Sequence, residues 1–207
     1  QLEILDGLRN LLPHGIESMA QLTMSNLADA YKHTELIPNS SLAIYSLASL
    51  LMDRPEPGEC LKATICWSTP LPDEEFVLDE SCINQFLKGE SCIVKQVVTG
   101  KRGAYLKFAA LSMNPDESLS WHIVTDTGLD QVKISSLCDR LQYPQQLYNE
   151  INTEIKSCPE NLVKLVAAAD GQMKTNDTMS DQHHYANTMF NIMRGGIFSN
   201  NYQVSTE

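Results

Sequence analysis

A chain of 207 residues that is 43% hydrophobic can bury one sizeable core, with or without a helical appendage, and is too apolar to be disordered. Its 26 acidic against 15 basic side chains leave a net charge of -11, which argues against a nucleic-acid backbone or an anionic membrane surface as main partner, since both would repel it. The six cysteines, at 60, 66, 82, 92, 138 and 158, form no CxxC and no short Cys/His pairing, and predict mostly buried free thiols in a reducing cytoplasm rather than a zinc site or disulfide scaffold.

From the amino terminus, Leu2, Ile4 and Leu5 predict a short strand that runs into a buried turn at Asp6 and Gly7 and an apolar plug bent by Pro13 and Gly15. Asp6 and Asn10 are read as caps of buried turn amides, with ligand contact as the other role open to them. Residues 16–36 are ambiguous: Met19, Leu22, Leu27 and Tyr31 suit helices, but strand is the preferred reading. A turn at Pro38, Asn39, Ser40 and Ser41 before the apolar run 42–52 predicts a hairpin, with helix as the rival for that run. Residues 53–58 form a rigid polar connector, and 61–67 a half-buried strand with Leu61, Ala63, Ile65 and Trp67 on one face.

Short strands at 76–78, 92–98, 104–113 and 120–125 follow, with one or two helical turns at 81–87 and turns at 100–103 and 114–117. Such spacing points to a meander in an antiparallel sheet or sandwich, not to parallel βαβ units. After Gly128 aliphatic residues recur at helical spacing over 132–141, 145–157 and 159–169, with Pro144 and Pro159 at first turns and Asp170-Gly171 as the stop of the third helix. A last helix is expected over 180–194. Ser180 would cap it, Asp181 and Arg194 suit the two ends of its dipole, and Tyr185, Met189 and Ile192 or Met193, widened by Ala186 and Phe190, make a broad buried face. Gly195-Gly196 would end it and send Ile197, Phe198 and Tyr202 back into apolar surroundings. Nothing there looks like a domain terminus, so the chain is expected to be a piece of a larger protein. The fold class is α+β: an antiparallel β-sandwich portion over 1–128, then a helical linker segment over 129–207.

Specific chemistry is sparse. No apolar run reaches the roughly 18 residues a bilayer span needs, and Gln1 does not begin a signal peptide, although a removed one stays open. Gly100-Lys101-Arg102-Gly103 lacks the spacing of a phosphate loop and reads as a basic hairpin turn. His183 and His184 are adjacent and face about 100° apart on a helix, so first-turn capping is preferred to a shared metal ion. Asp126 and Asp130 illustrate the acid pairs available for glycosidic chemistry, which mean little without a separation across a cleft. Trp67 and Trp121 are read as core before sugar platforms.

The residues Ile4-Leu5-Asp6-Gly7-Leu8-Arg9-Asn10-Leu11-Leu12-Pro13, Leu27-Ala28-Asp29-Ala30-Tyr31-Lys32, Asp53-Arg54-Pro55-Glu56-Pro57, Arg102-Gly103-Ala104-Tyr105 and Leu165-Val166-Ala167-Ala168-Ala169-Asp170-Gly171 resemble the amino-terminal half of large bacterial cellobiose-phosphorylase-like proteins. Above all, Ala186-Asn187-Thr188-Met189-Phe190-Asn191-Ile192-Met193-Arg194-Gly195-Gly196-Ile197-Phe198 does so, and the likeness spans nearly the whole chain; His14 departs from it where an aromatic residue is expected. The resemblance implies a supersandwich-like β domain, a helical linker and then an α/α barrel that carries the catalytic acid. The barrel is missing here, so no catalytic residue carries over. The partners implied are carbohydrate through the parent enzyme, the absent barrel and, as an option, a second copy in a homodimer. Asp6, Asn10, His183, His184 and Arg194 are the candidate binding residues, and no metal or other cofactor is expected. The leading expectation is a non-catalytic part of a glycoside phosphorylase or hydrolase; the rival is a stand-alone carbohydrate-binding or protein-interaction module.

Overall fold

The structure is a computed structural model and describes residues 2–51 and 58–195. The expectations for most of the 53–58 connector, and for Gly196, Ile197, Phe198 and Tyr202, lie outside the described residues. The elements, in chain order, are β1 (Leu2–Leu11), α1 (Ser18–Thr23), α2 (Ser25–Ala30), β2 (Lys32–Leu36), β3 (Ala43–Leu47), β4 (Ala63–Ser68), β5 (Glu74–Val77), α3 (Ser81–Leu87), β6 (Val97–Thr99), β7 (Gly103–Leu111), β8 (Ile123–Leu129), α4 (Gln131–Leu141), α5 (Pro144–Ala168) and α6 (Thr178–Met193). The chain divides into two compact units, Gln1–Pro144 and Gln145–Glu207.

The first unit holds two antiparallel sheets, one of three strands in the order β1-β7-β5 and one of five in the order β6-β2-β3-β4-β8. With the helices they make the expected α+β fold with a sandwich-like arrangement of sheets. The predicted hairpin is present, with Leu36 opposite Ala43 and the Ile37 N–H donating to the Leu42 carbonyl. The predicted meander is not. Residues 100–102 carry the chain from β6 in one sheet to β7 in the other, so the basic turn at Lys101 and Arg102 is a corner between sheets and not a hairpin.

Burial of apolar residues between the sheets explains this pairing better than sequence proximity does. Ala43, Tyr45 and Cys66 from the larger sheet meet Phe76, Leu78 and Tyr105 from the smaller sheet and its edge. Because side chains alternate along a strand, Ala104 and Leu106 turn to the opposite face of β7, where Val77, Cys82, Leu5 and Ile83 enclose them. Phe86 of α3 meets Phe108 there edge to face at 6.1 Å. Polar bonds cross the sandwich as well: the Tyr45 hydroxyl donates to the Ala104 carbonyl at 2.9 Å and the Tyr105 hydroxyl to the Ser41 carbonyl at 2.7 Å. A Cβ on Gly103 would lie 2.6 Å from the Tyr45 ring, so only glycine lets the chain turn this corner beneath the tyrosine.

Several expectations are corrected. Residues 2–11 are one strand, not a strand, turn and plug; Asn10, at φ 57, is a bulge between Arg9 and Leu11 that absorbs the irregularity. Residues 18–30 are two short helices, because Ala20, Ala28 and Ala30 favour helix and Ala28 can then bury against Ile16 and Leu47. β4 is buried along its whole length and not half-buried, and Leu61 lies outside it and is exposed. Of the expected strand 92–98 only Val97 and Val98 are extended, in a strand that runs on to Thr99. The premise of six free thiols also fails: Cys82 and Cys92 are joined in a disulfide, leaving Cys60, Cys66, Cys138 and Cys158 free.

In the second unit the two helices expected either side of Pro159 are a single 25-residue helix, α5, since a proline removes one hydrogen bond and the rest of so long a helix holds. Asp170 at φ 57 then supplies the left-handed stop, and the Gly171 N–H donates to the Val166 carbonyl. A Cβ at Gly171 would meet Val166 at 2.4 Å and Thr188 at 2.8 Å, so glycine permits the close approach of α6. The N-cap of α6 is Asp177, which accepts from the Met179 N–H; Ser180 lies inside the helix and donates to Asp177 instead. Its inward face is Tyr185, Thr188, Met189 and Ile192. Phe190, Met193 and Ala186 are exposed, contrary to the expected broad stripe.

Candidate functional site

Where the two sheets and α3 converge, a polar cleft of about 520 Å³ opens in the first unit. Four distant stretches build it: Arg9 near the bulge of β1, Asp29 of α2, residues 79–84 at the start of α3, and the inter-sheet corner Gly100, Lys101 and Arg102. Each is placed by the fold's constraints. Gly100, at φ 69, bends the chain out of β6 while its N–H donates to the Lys32 carbonyl, which aims the next two side chains into the cleft mouth. The Cys82–Cys92 bridge holds α3 down, and with it Ser81 and Asn84 on the cleft wall.

The carboxylates of the cleft are all engaged. Asp79, almost buried, accepts from the Ser81 N–H at 3.1 Å, from Lys101 at 3.1 Å and from Lys95 at 3.3 Å. Burial works to raise its carboxyl, but the Ser81 and lysine bonds outweigh that and hold it well below the usual carboxylate range. Asp29 is likewise lowered: its desolvation is outweighed by bonds from Lys32 and Gln21, with a smaller pull from Arg102. Lys32 itself is buried and bonded to both Asp29 and Gln21. Glu80 receives Arg9 through Nε at 3.1 Å and Nη2 at 2.9 Å. The arrangement therefore offers fixed negative charge already matched by cations. No group of three metal-ligating side chains occurs among the described residues.

Inside the sandwich a second polar cluster is closed to solvent. Lys107 of β7 is fully buried, with Glu74 at 2.6 Å, the Ser68 hydroxyl at 2.9 Å and the Thr69 carbonyl at 2.5 Å. All three ammonium protons thus have partners, and the side chain ties the smaller sheet to the end of β4 in the larger. Nearby, burial pushes the Cys66 thiol up to about 12, so it stays protonated and is no nucleophile.

The predicted binding residues do not share a site. Asp6 is exposed on β1 and both its oxygens are used, one by the Gly7 N–H and the other by the Trp121 indole N–H at 2.7 Å. No buried turn is present for Asp6 to cap, since it lies within the strand β1, and the sequence did not reveal its indole partner. Trp67 is buried as expected, and Trp121 packs half-buried beside Leu71 and Leu111. Asn10 is the exposed bulge residue. His183, His184 and Arg194 belong to the other unit: His183 is exposed, His184 Nε2 lies 2.7 Å from the Asp170 carbonyl, and the Arg194 guanidinium stands 5.5 Å over the Phe190 ring. Of the cleft residues, only the Lys101-Arg102 corner was singled out in the sequence. Arg9, Asp29 and Asp79 carried no local signal, because ion pairs between distant residues leave no spacing to read.

The fold and the cleft together define a class, an α+β protein whose antiparallel sandwich carries a charged, ion-paired cleft. No family model matches the chain, and no curated protein is significantly similar to it.

Proposed function

We propose that this chain is the non-catalytic sandwich and helical-linker portion of a carbohydrate-active enzyme, a glycoside phosphorylase or hydrolase of the cellobiose-phosphorylase-like kind, and supports a catalytic barrel carried by further residues. The state of the cleft carboxylates bears on the non-catalytic part of the reading. A glycosidic general acid needs a carboxyl whose pKa is raised, whereas Asp79 and Asp29 are both lowered and Glu80 is paired with Arg9. The sandwich-then-helices order carries the rest, together with the sequence likeness over residues 4–13 and 186–198. Carbohydrate is then a partner through the parent enzyme.

The cytoplasmic location expected from free thiols loses that footing with the Cys82–Cys92 bridge, which favours an oxidising compartment. Two experiments test the reading. A reading frame that continues past Glu207 through several hundred residues of paired amphipathic helices is expected, and a stop codon soon after Glu207 overturns it. Titration calorimetry with glucose and with cellobiose is expected to show no tight binding to the isolated chain; tight binding would instead favour a stand-alone carbohydrate-binding module.

A further inference from the structure

The cleft at the inter-sheet corner has a charge balance opposite to that of the protein. Three carboxylates line it, Asp29, Asp79 and Glu80, and every one is held by a cation. Arg9, Lys101 and Arg102 line the cleft with them, three charges against three, and Lys32 and Lys95 bond to Asp29 and Asp79 from beyond the lining, so the carboxylates and the cations that line the cleft or hold them sum to five positive against three negative. A chain with 26 acids and only 15 bases has placed a third of its bases at this one place. Pairing within the cleft leaves Arg102 over: its guanidinium makes no hydrogen bond with any described residue and acts on Asp29 only through space. The Asn84 side chain on the facing wall of α3 is likewise without a hydrogen bond among the described residues.

We infer that this cleft is a binding site for a small molecule bearing an oxyanion, a carboxylate or a phosphate group, with Arg102 as its principal contact, Lys101 supplying positive field and Asn84 donating from the opposite wall. A guanidinium presents its donors as a planar fork that matches both oxyanions, and one left unpaired beside a surplus of positive charge is suited to a mobile partner. The paired carboxylates have a role in this arrangement. They hold Arg9 and Lys101 in place. The cleft's volume of about 520 Å³ accommodates a monosaccharide-sized body behind that group. The inference stands on charge and geometry and does not depend on the proposed function.

The test is isothermal titration of the oxidised full chain with inorganic phosphate and, separately, with glucuronate, using neutral glucose as the control. Saturable binding of at least one anion is expected, weaker as salt rises, with no response to glucose; the tighter of the two identifies the oxyanion. Arg102→Gln, at an exposed position with no bond to lose, is expected to fold normally and to weaken that binding about tenfold or more. Arg102→Lys should retain part of the binding, and Lys164→Gln, in the other unit, should bind like the parent. Absence of saturable binding to either anion overturns the inference, and so does binding that Arg102→Gln leaves unchanged.

Discussion

The Lys107 ammonium lies 2.6 Å from the Glu74 carboxylate inside a sandwich where Lys107 has no solvent exposure at all. Removing one partner of such a pair leaves an uncompensated buried charge, whereas removing both leaves an apolar core. Glu74→Gln is therefore expected to destabilise the chain by about 3–5 kcal/mol in urea unfolding. Lys107→Met should cost less, since Glu74 retains some solvent and the Leu71 N–H at 2.8 Å. The double variant should be more stable than Glu74→Gln alone; a strictly additive loss would show that the pair is not coupled.

Asp79 sets part of the acid stability. Its folded carboxyl lies below the ordinary value of 3.8, so its contribution is complete above that pH and is lost as pH falls further, when the native state must take up a proton that the unfolded chain already holds. Asp79→Asn is expected to lower the melting temperature at neutral pH, because Lys95 and Lys101 lose the carboxylate charge they pair with and one acceptor oxygen becomes an amide N–H group. It should also flatten the fall in stability below pH 3.8, with Asp29 accounting for part of the slope that remains. Parallel acid limbs in the parent and variant would contradict this.

The bridge between Cys82 and Cys92 closes a loop with a sequence separation of 10. Thiol titration of the unfolded, unreduced chain should find four free thiols, and six after reduction. Cys82→Ser is expected to cost about 2–3 kcal/mol. The same loss should appear in the parent on addition of dithiothreitol; a count of six before reduction would rule the bridge out.

Adjacent histidines on α6 should behave differently. His184 meets the Asp170 carbonyl and so fastens the turn after α5, while His183 is exposed. His184→Ala is expected to cost about 0.5–1.5 kcal/mol and His183→Ala close to nothing in thermal unfolding. Equal effects, or a bound metal ion lost from either variant, would mean that the pair has another role.

Local pattern was enough to show that a strand-rich portion precedes a helical one, that 32–47 contains a hairpin, that α4 and α6 form, and that Asp170-Gly171 ends a helix. Those features depend on residues within a few positions of one another, and hydrophobic period, turn chemistry and capping are legible at that range. The same logic failed where the deciding partner is remote. Ala28 is helical rather than extended because Ile16 and Leu47 enclose it, and Cys82 is bonded because the fold brings α3 beside Cys92. Tertiary structure alone decided which sheet each strand joined. β6 and β7 are separated by three residues yet lie in different sheets, since the apolar faces of β7 are buried only between the larger sheet on one side and α3 on the other. The cleft is the extreme case, because Arg9, Asp29, Asp79 and Arg102 acquire a common chemistry only when folding has paid the entropy of bringing four separate stretches together.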